Sequence, residues 1–203
     1  MAKVKGGLLE SVSGKLGPLV VVNRGERTYV RTAPQYTKDS WSERQVQNRH
    51  RFRQANAFCR QYQQQVIVPI WNQLPGSTSG YHQFLKANIP AFNSRGALED
   101  QSMLHFSDGV LPLPYQLQLA AQGDQLALSW QNDSSMTGVR LEDELWYMTL
   151  SPEAIQGPFE SGLKRGSKGG ILNFSEQGES TGLFVFFASS DRKAFSPDRF
   201  LAI

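Results

Sequence analysis

From Tyr115 the hydrophobic period changes to two, and that change most constrains what this chain can fold into. Tyr115-Gln116-Leu117-Gln118-Leu119 alternates, Gly123-Asp124 turns, and Gln125-Leu126-Ala127-Leu128-Ser129-Trp130 alternates again. Further β-like runs are Glu144 to Leu150, Gly170 to Phe174, Gly182 to Ser189 and Ala194 to Ile203, with Gly162 to Arg165 as an additional candidate. Successive side chains on a strand point to opposite faces. Short strands at this spacing therefore predict an antiparallel sandwich or barrel. Trp130, in the phrase LALSW, fits the buried core position of a fibronectin-type module, and Asp191-Arg192-Lys193 is expected as the turn of the closing hairpin.

Upstream the pattern changes twice. Leu19 to Asn23 and Arg27 to Thr32 are β-branched runs separated by Arg24-Gly25-Glu26, a hairpin signal that Pro34 ends. Ser42 with Gln45 then has the form of a capping box, with Ser40 and Glu43 as a rival start. Phe52, Ala55, Phe58, Cys59, Tyr62 and Val66 follow at three- and four-residue steps, one apolar stripe at about 100° per residue. Pro69 is expected to kink or end that helix. A short helix is expected to open at Gly80 and stop at Pro90. The expected fold class is α+β, mostly β. It has a flexible basic arm (1–18), a hairpin plus helical region carrying one long amphipathic helix (19–112), and a fibronectin type III-like antiparallel β-sandwich (113–203).

Charge is divided along the chain. Residues 1–95 carry 14 Lys and Arg against 4 Asp and Glu, a balance of +10, whereas residues 96–203 carry 7 against 14, a balance of −7. Such asymmetry points to an anionic partner for the first half, to head-to-tail contact between copies, or to neutralisation within one fold. The candidate partner-binding residues are Lys3, Lys5, Lys15, Arg24, Arg27, Arg31, Arg49, Arg53 and Arg60, with Tyr29 and Trp41 placed for stacking.

Chemical motifs are near misses. Ser13-Gly14-Lys15 is followed by Leu16 rather than Ser or Thr, so no phosphate loop is formed. Leu163 to Gly170 reads as a basic turn between strands. Gly76-Ser77-Thr78-Ser79-Gly80 has threonine at the centre of a nucleophile-elbow spacing and no strand before it. His50, His82 and His105 lack helical metal-ligand spacing and are read as exposed or partly packed side chains. Glu142-Asp143-Glu144 is read as a solvated edge, and Cys59, the only cysteine, as a small buried apolar residue. No catalytic residue, cofactor or metal is expected.

The run Leu8 to Val22 is interrupted by Glu10, Lys15 and two glycines, which rules out a continuous secretory h-region, and no segment has membrane-span length. The expected location is the cytoplasm, with envelope or virion association left open.

Four stretches carry a resemblance. They are SGKLG at Ser13 to Gly17 with the hairpin and VRTAP; QVQNRHRF at Gln45 to Phe52; GYHQFLKAN at Gly80 to Asn88 with SDGVLPLP at Ser107 to Pro114; and LSW at Leu128 to Trp130 with the terminal ASSDRKAFSPDRFL. In this order they resemble a domain-of-unknown-function family of Bacteroidota and associated phage proteins of similar length. The resemblance implies an N-terminal arm, a long helix and an immunoglobulin-like C-terminal domain, and it implies no activity. The functional expectation is a non-enzymatic binding or assembly protein, acting as a subunit or adaptor of a larger complex. An envelope or secretion-associated plug-like subunit and a phage structural component both fit. Nucleic-acid binding by the basic half is the alternative, and self-association is compatible with either.

Overall fold

The strand Gly182–Ala188 is buried at every position, and the architecture follows from what its two faces require. Leu183, Val185 and Phe187 belong to one hydrophobic cluster, whereas Phe184, Phe186 and Ala188 belong to another. A continuous apolar run of this length is the pattern of a strand covered on both sides. The structure, a computed structural model, describes residues 2–4, 12–24, 27–35, 41–76, 78–113, 115–122, 125–132, 139–172 and 180–203. Contacts divide the chain into two units, Met1–Glu43 and Arg44–Ile203.

Met1–Glu43 holds a four-stranded antiparallel sheet. Its strands β1 (Ala2–Val4), β2 (Gly14–Leu16), β3 (Leu19–Arg24) and β4 (Arg27–Thr32) lie in the order β1-β4-β3-β2. The expected hairpin is present, with Leu19 opposite Thr32 and Arg24 opposite Arg27; its turn at 25–26 lies outside the described residues. Parts of the expected arm (1–18) are in strands, while residues 1 and 5–11 lie outside the described residues. Ala2–Val4 adds to β4 and Gly14–Leu16 adds to β3, because each hairpin edge offers unpaired backbone groups to any segment that can reach it. Gly17, at φ +57, supplies the positive φ that the two-residue turn between β2 and β3 needs.

Arg44–Ile203 is built in three layers, more than a two-layered sandwich alone. Helix α1 (Glu43–Gln61) begins directly after Ser42, as its capping signal predicts. It buries Ala55 and Cys59, but Phe52, expected at the head of the stripe, is half exposed. The expected long helix does not run on to Val66 as α-helix. A π-helical turn (Gln63–Ile67) follows, with the Ile67 and Val68 N–H groups reaching back five residues to Tyr62 and Gln63. Pro69 explains it: a proline ring crowds the carbonyl four residues back, and a widened turn relieves that. A 3-10 turn (Trp71–Gln73) leads to helix α2 (Gly80–Asn88), and Pro90 lies in the 3-10 turn that ends α2. Gly80 is required by packing, since a Cβ there would lie 2.5 Å from the Trp71 backbone.

The remaining strands form two antiparallel sheets. They are β5 (Tyr115–Gln122), β6 (Gln125–Gln131), β7 (Glu144–Leu150), β8 (Ile155–Lys164), β9 (Gly169–Leu172), β10 (Gly182–Ala188) and β11 (Arg199–Ala202). One sheet has the order β5-β6-β9 and the other β11-β10-β7-β8. Between them lie Leu117, Leu128, Trp130, Leu145 and Phe187. On the far face of β7 and β10, Trp146, Met148, Phe184 and Phe186 share a core with Cys59, Val66, Ile70, Trp71, Phe84 and Phe106. The helices and the sandwich are thus packed on a common sheet, and the hydrophobic core runs across the expected 112/113 boundary. Among the described residues no helix is long and apolar enough to cross a membrane.

Two polar expectations change. Asp143 is fully buried rather than solvated, and it pairs with Arg165, which lies in the 3-10 turn (Arg165–Ser167) between β8 and β9. The basic stretch at 163–170 is a turn, as expected, but its arginine points inward, over the Phe187 ring at 4.0 Å.

Candidate functional site

Register sorts the N-terminal sheet into two unlike faces. Arg31 is opposite Val20, which is opposite Lys15. Tyr29 is opposite Val22 on one side and Lys3 on the other, and Arg27 is opposite Arg24. Cross-strand partners share a face and so do residues two apart. One face therefore carries Lys15, Arg27, Arg31 and Tyr29, with the positions of Lys3 and Arg24 in the same set. No acidic residue of these strands falls in it. The other face holds Val21, Val30, Leu19, Leu16 and Thr28. Val21 and Thr28, on the apolar face, are the buried residues of this unit among those described, while Leu16 and Leu19 on the same face are exposed. Lys15, Arg27 and Arg31 are exposed, and Tyr29 is half-buried between them. Same-face neighbours on a strand are about 6.6 Å apart and adjacent strands about 4.8 Å, which sets the positive charges around Val20, Val22 and the Tyr29 ring.

Five of the nine sequence-predicted cations are thus gathered on one face. Lys5 lies outside the described residues. Arg49, Arg53 and Arg60 stand exposed on α1, and at about 100° per residue they form a single ridge opposite Ala55 and Cys59. Trp41 is exposed, just ahead of α1. Arg51, which the sequence did not single out, turns inward instead: its Nε donates to the Ile89 carbonyl at 3.1 Å.

A second polar site lies in Arg44–Ile203. His105 is held on three sides. Its backbone N–H donates to Asn88 Oδ1 and its carbonyl accepts from Asn88 Nδ2, both at 2.9 Å. Its ring Nδ1 lies 3.0 Å from Asp198 Oδ1, and the other Asp198 oxygen accepts the Phe106 N–H at 2.7 Å. The Asp198 side chain is 2 % exposed and that of His105 is 51 % exposed. The hydrogen bond to Asp198 raises the His105 pKa against the lowering effect of partial burial, and the charges of Asp198 and Asp108 add to the rise. Burial raises the Asp198 carboxyl, opposed by its bonds from His105 and Phe106. The pair borders a cavity of about 830 Å³ that also receives His82 and Lys86 from α2.

The sequence reads His105 and His82 as exposed or partly packed side chains and does not single out Asp198. The partners of this site are 93 residues apart in the chain, a separation that carries no spacing signal. Among the described residues no group of three or more His, Cys, Asp or Glu is placed to hold a metal ion. No protein-family model, curated protein or solved structure matches this chain.

Proposed function

We propose that this chain is a non-enzymatic binding and assembly protein, a subunit or adaptor of a larger complex, and that the cationic face of its N-terminal sheet is the docking surface for an anionic partner. The observation that carries the reading is the register: Lys15, Arg27 and Arg31 share one open face with no acidic side chain of the strands among them. Like charges set side by side repel one another, and a surface of this kind lowers its energy when an opposite surface covers it. The C-terminal module supports the same class of function. Its antiparallel sheets, β5-β6-β9 and β11-β10-β7-β8, are compatible with the fibronectin type III-like sandwich expected from the sequence. The likeness to the Bacteroidota and phage family is compatible with this reading and adds no activity to it.

Zero-length carbodiimide cross-linking of the native complex tests the proposal, because it joins a lysine only to a carboxylate in direct contact. Cross-links from Lys15 to acidic residues of another polypeptide are the expected result. Unmodified Lys15 in a complex that remains intact contradicts it.

Tyr29 favours a second reading. A half-buried ring set among cations is how proteins hold single-stranded nucleic acid, with phosphates on the charges and a base on the ring. Ultraviolet cross-linking of bound RNA or DNA to Tyr29 separates that reading from the first.

A further inference from the structure

The cavity beside His105 has the size and the donor set of a small-molecule site, and the geometry points to an oxyanion-bearing ligand, a carboxylate or a phosphate, held by His105, Lys86 and His82. Every group of this site lies in Arg44–Ile203, whereas the docking face belongs to Met1–Glu43. At about 830 Å³ the cavity falls within the range of ligand pockets.

Its polar groups converge from separate elements. His82 and Lys86 are four residues apart on α2 and so lie on one face of that helix. His105 enters from the segment after the Gln101–Met103 turn, and Asp198 from the segment before β11. Each histidine has its Nδ1 occupied, His82 by the Ser79 hydroxyl at 2.7 Å and His105 by Asp198 at 3.0 Å. The Nε2 atom is therefore the ring nitrogen that each offers to a ligand. Two imidazoles and an ammonium supply donors. The acidic residues lining the cavity are Asp108 and Asp198. Asp198 is shielded from solvent with both oxygens engaged, and one Asp108 oxygen accepts the Gly109 N–H at 2.8 Å.

The cost of this arrangement argues for use. Asn88 is wholly buried and Asp198 nearly so, and burying an amide and a carboxylate is unfavourable unless each finds its partners. Here both find them on the His105-Phe106 segment, so two buried polar side chains fix the position of one half-exposed imidazole. A contact serving only to join two loops has no need to leave the imidazole facing a cavity. Positioning of that kind is what a binding group requires. Asp198 behind the ring favours the protonated form of His105; the other titratable groups facing the cavity are Lys86, His82 and the opposing Asp108.

The test is a titration of the full-length chain followed by the histidine ring nitrogens in NMR, with inorganic phosphate and malonate as separate probes and chloride at equal ionic strength as the control. His50, on α1 and outside the lining of the cavity, is the internal reference. The expected result is a saturable shift at His105 and His82 but not His50. Affinity should be about tenfold weaker at about pH 8.5 than at about pH 6, and binding should be lost in His105→Gln. Because His105→Gln removes a partner of buried Asp198, Lys86→Gln on the exposed face of α2 is measured beside it and is expected to weaken the same probe. Tighter binding of phosphate or of malonate assigns the ligand's headgroup. The inference is overturned if neither anion shifts His105 saturably, if His50 moves in parallel, or if Lys86→Gln binds as the unmodified chain does.

Discussion

Arg165 and Asp143 meet at 3.2 Å with both side chains only 1 % exposed, where β8 gives way to β9. Arg165 also donates to the Pro112 carbonyl, and its own carbonyl accepts from Trp130 Nε1, so this residue joins the entry to the sandwich, the core tryptophan and the β8–β9 turn. Burial lowers the Arg165 pKa and raises that of Asp143, in each case against the pull of the other. Desolvation outweighs attraction for both, as expected of a sealed ion pair. Removing one partner should be worse than removing both. Arg165→Met or Asp143→Ala alone should cost about 3–5 kcal/mol in urea unfolding, and Arg165→Met with Asp143→Leu should recover much of it. A double variant no more stable than the singles would contradict this account.

Cys59 is 0 % exposed on the buried face of α1, and burial pushes its thiol up to about 12. A thiol of that kind is neither accessible nor ionised at neutral pH. Ellman's reagent should fail to titrate it in the native chain and should recover one thiol in urea.

His105 links stability to pH. Its hydrogen bond to Asp198 puts the folded pKa above the ordinary 6.5. The stabilisation is therefore complete below about pH 6.5 and is lost as pH rises through the higher folded value. The ring is half exposed, so solvent screening keeps the effect small. The unfolding midpoint should fall between about pH 6 and pH 8.5, and His105→Gln should flatten that fall. An equal fall in the variant would assign the dependence to another group.

Tyr29 stands between Val22 and Lys3 on the cationic face. If a base stacks on it, Tyr29→Ser should cost about 1–3 kcal/mol in binding to an oligouridylate and should leave binding to poly-glutamate nearly unchanged. Equal losses for both polymers would make the ring a packing element of the sheet.

What the sequence disclosed depended on whether the signal was local. Period-two runs located β5 and β6, and β-like apolar runs located β7 and β10, because both patterns are read within one strand. β8 escaped beyond its last residues, because Gly157, Pro158 and Gly162 interrupt its pattern and its pairing with β7 shifts register twice. That irregularity is tolerated at a sheet edge, and β8 is an edge strand. The cations of the N-terminal region were legible as residue types. Their placement on one face was not, since it needs the pairing of β1 and β2 with the hairpin, and short polar strands give little alternation to read. The third layer was signalled by the unbroken LFVFFA of β10, an apolar run too continuous for a strand covered on one side. The contact of His105 with Asp198 left no trace in local pattern.

The most direct test of the docking face is the salt dependence of polyanion binding, measured by fluorescence anisotropy with poly-glutamate and with an oligouridylate, for the native chain and for Lys15→Ser/Arg27→Ser/Arg31→Ser. The three side chains are exposed, so the variant should fold as the native chain does. The account predicts weaker binding of both polymers, with the slope of log K against log salt for the oligouridylate shallower by about 2, close to 0.7 for each lost contact. Native affinity and an unchanged slope in the triple variant would contradict the claim that this face binds anions.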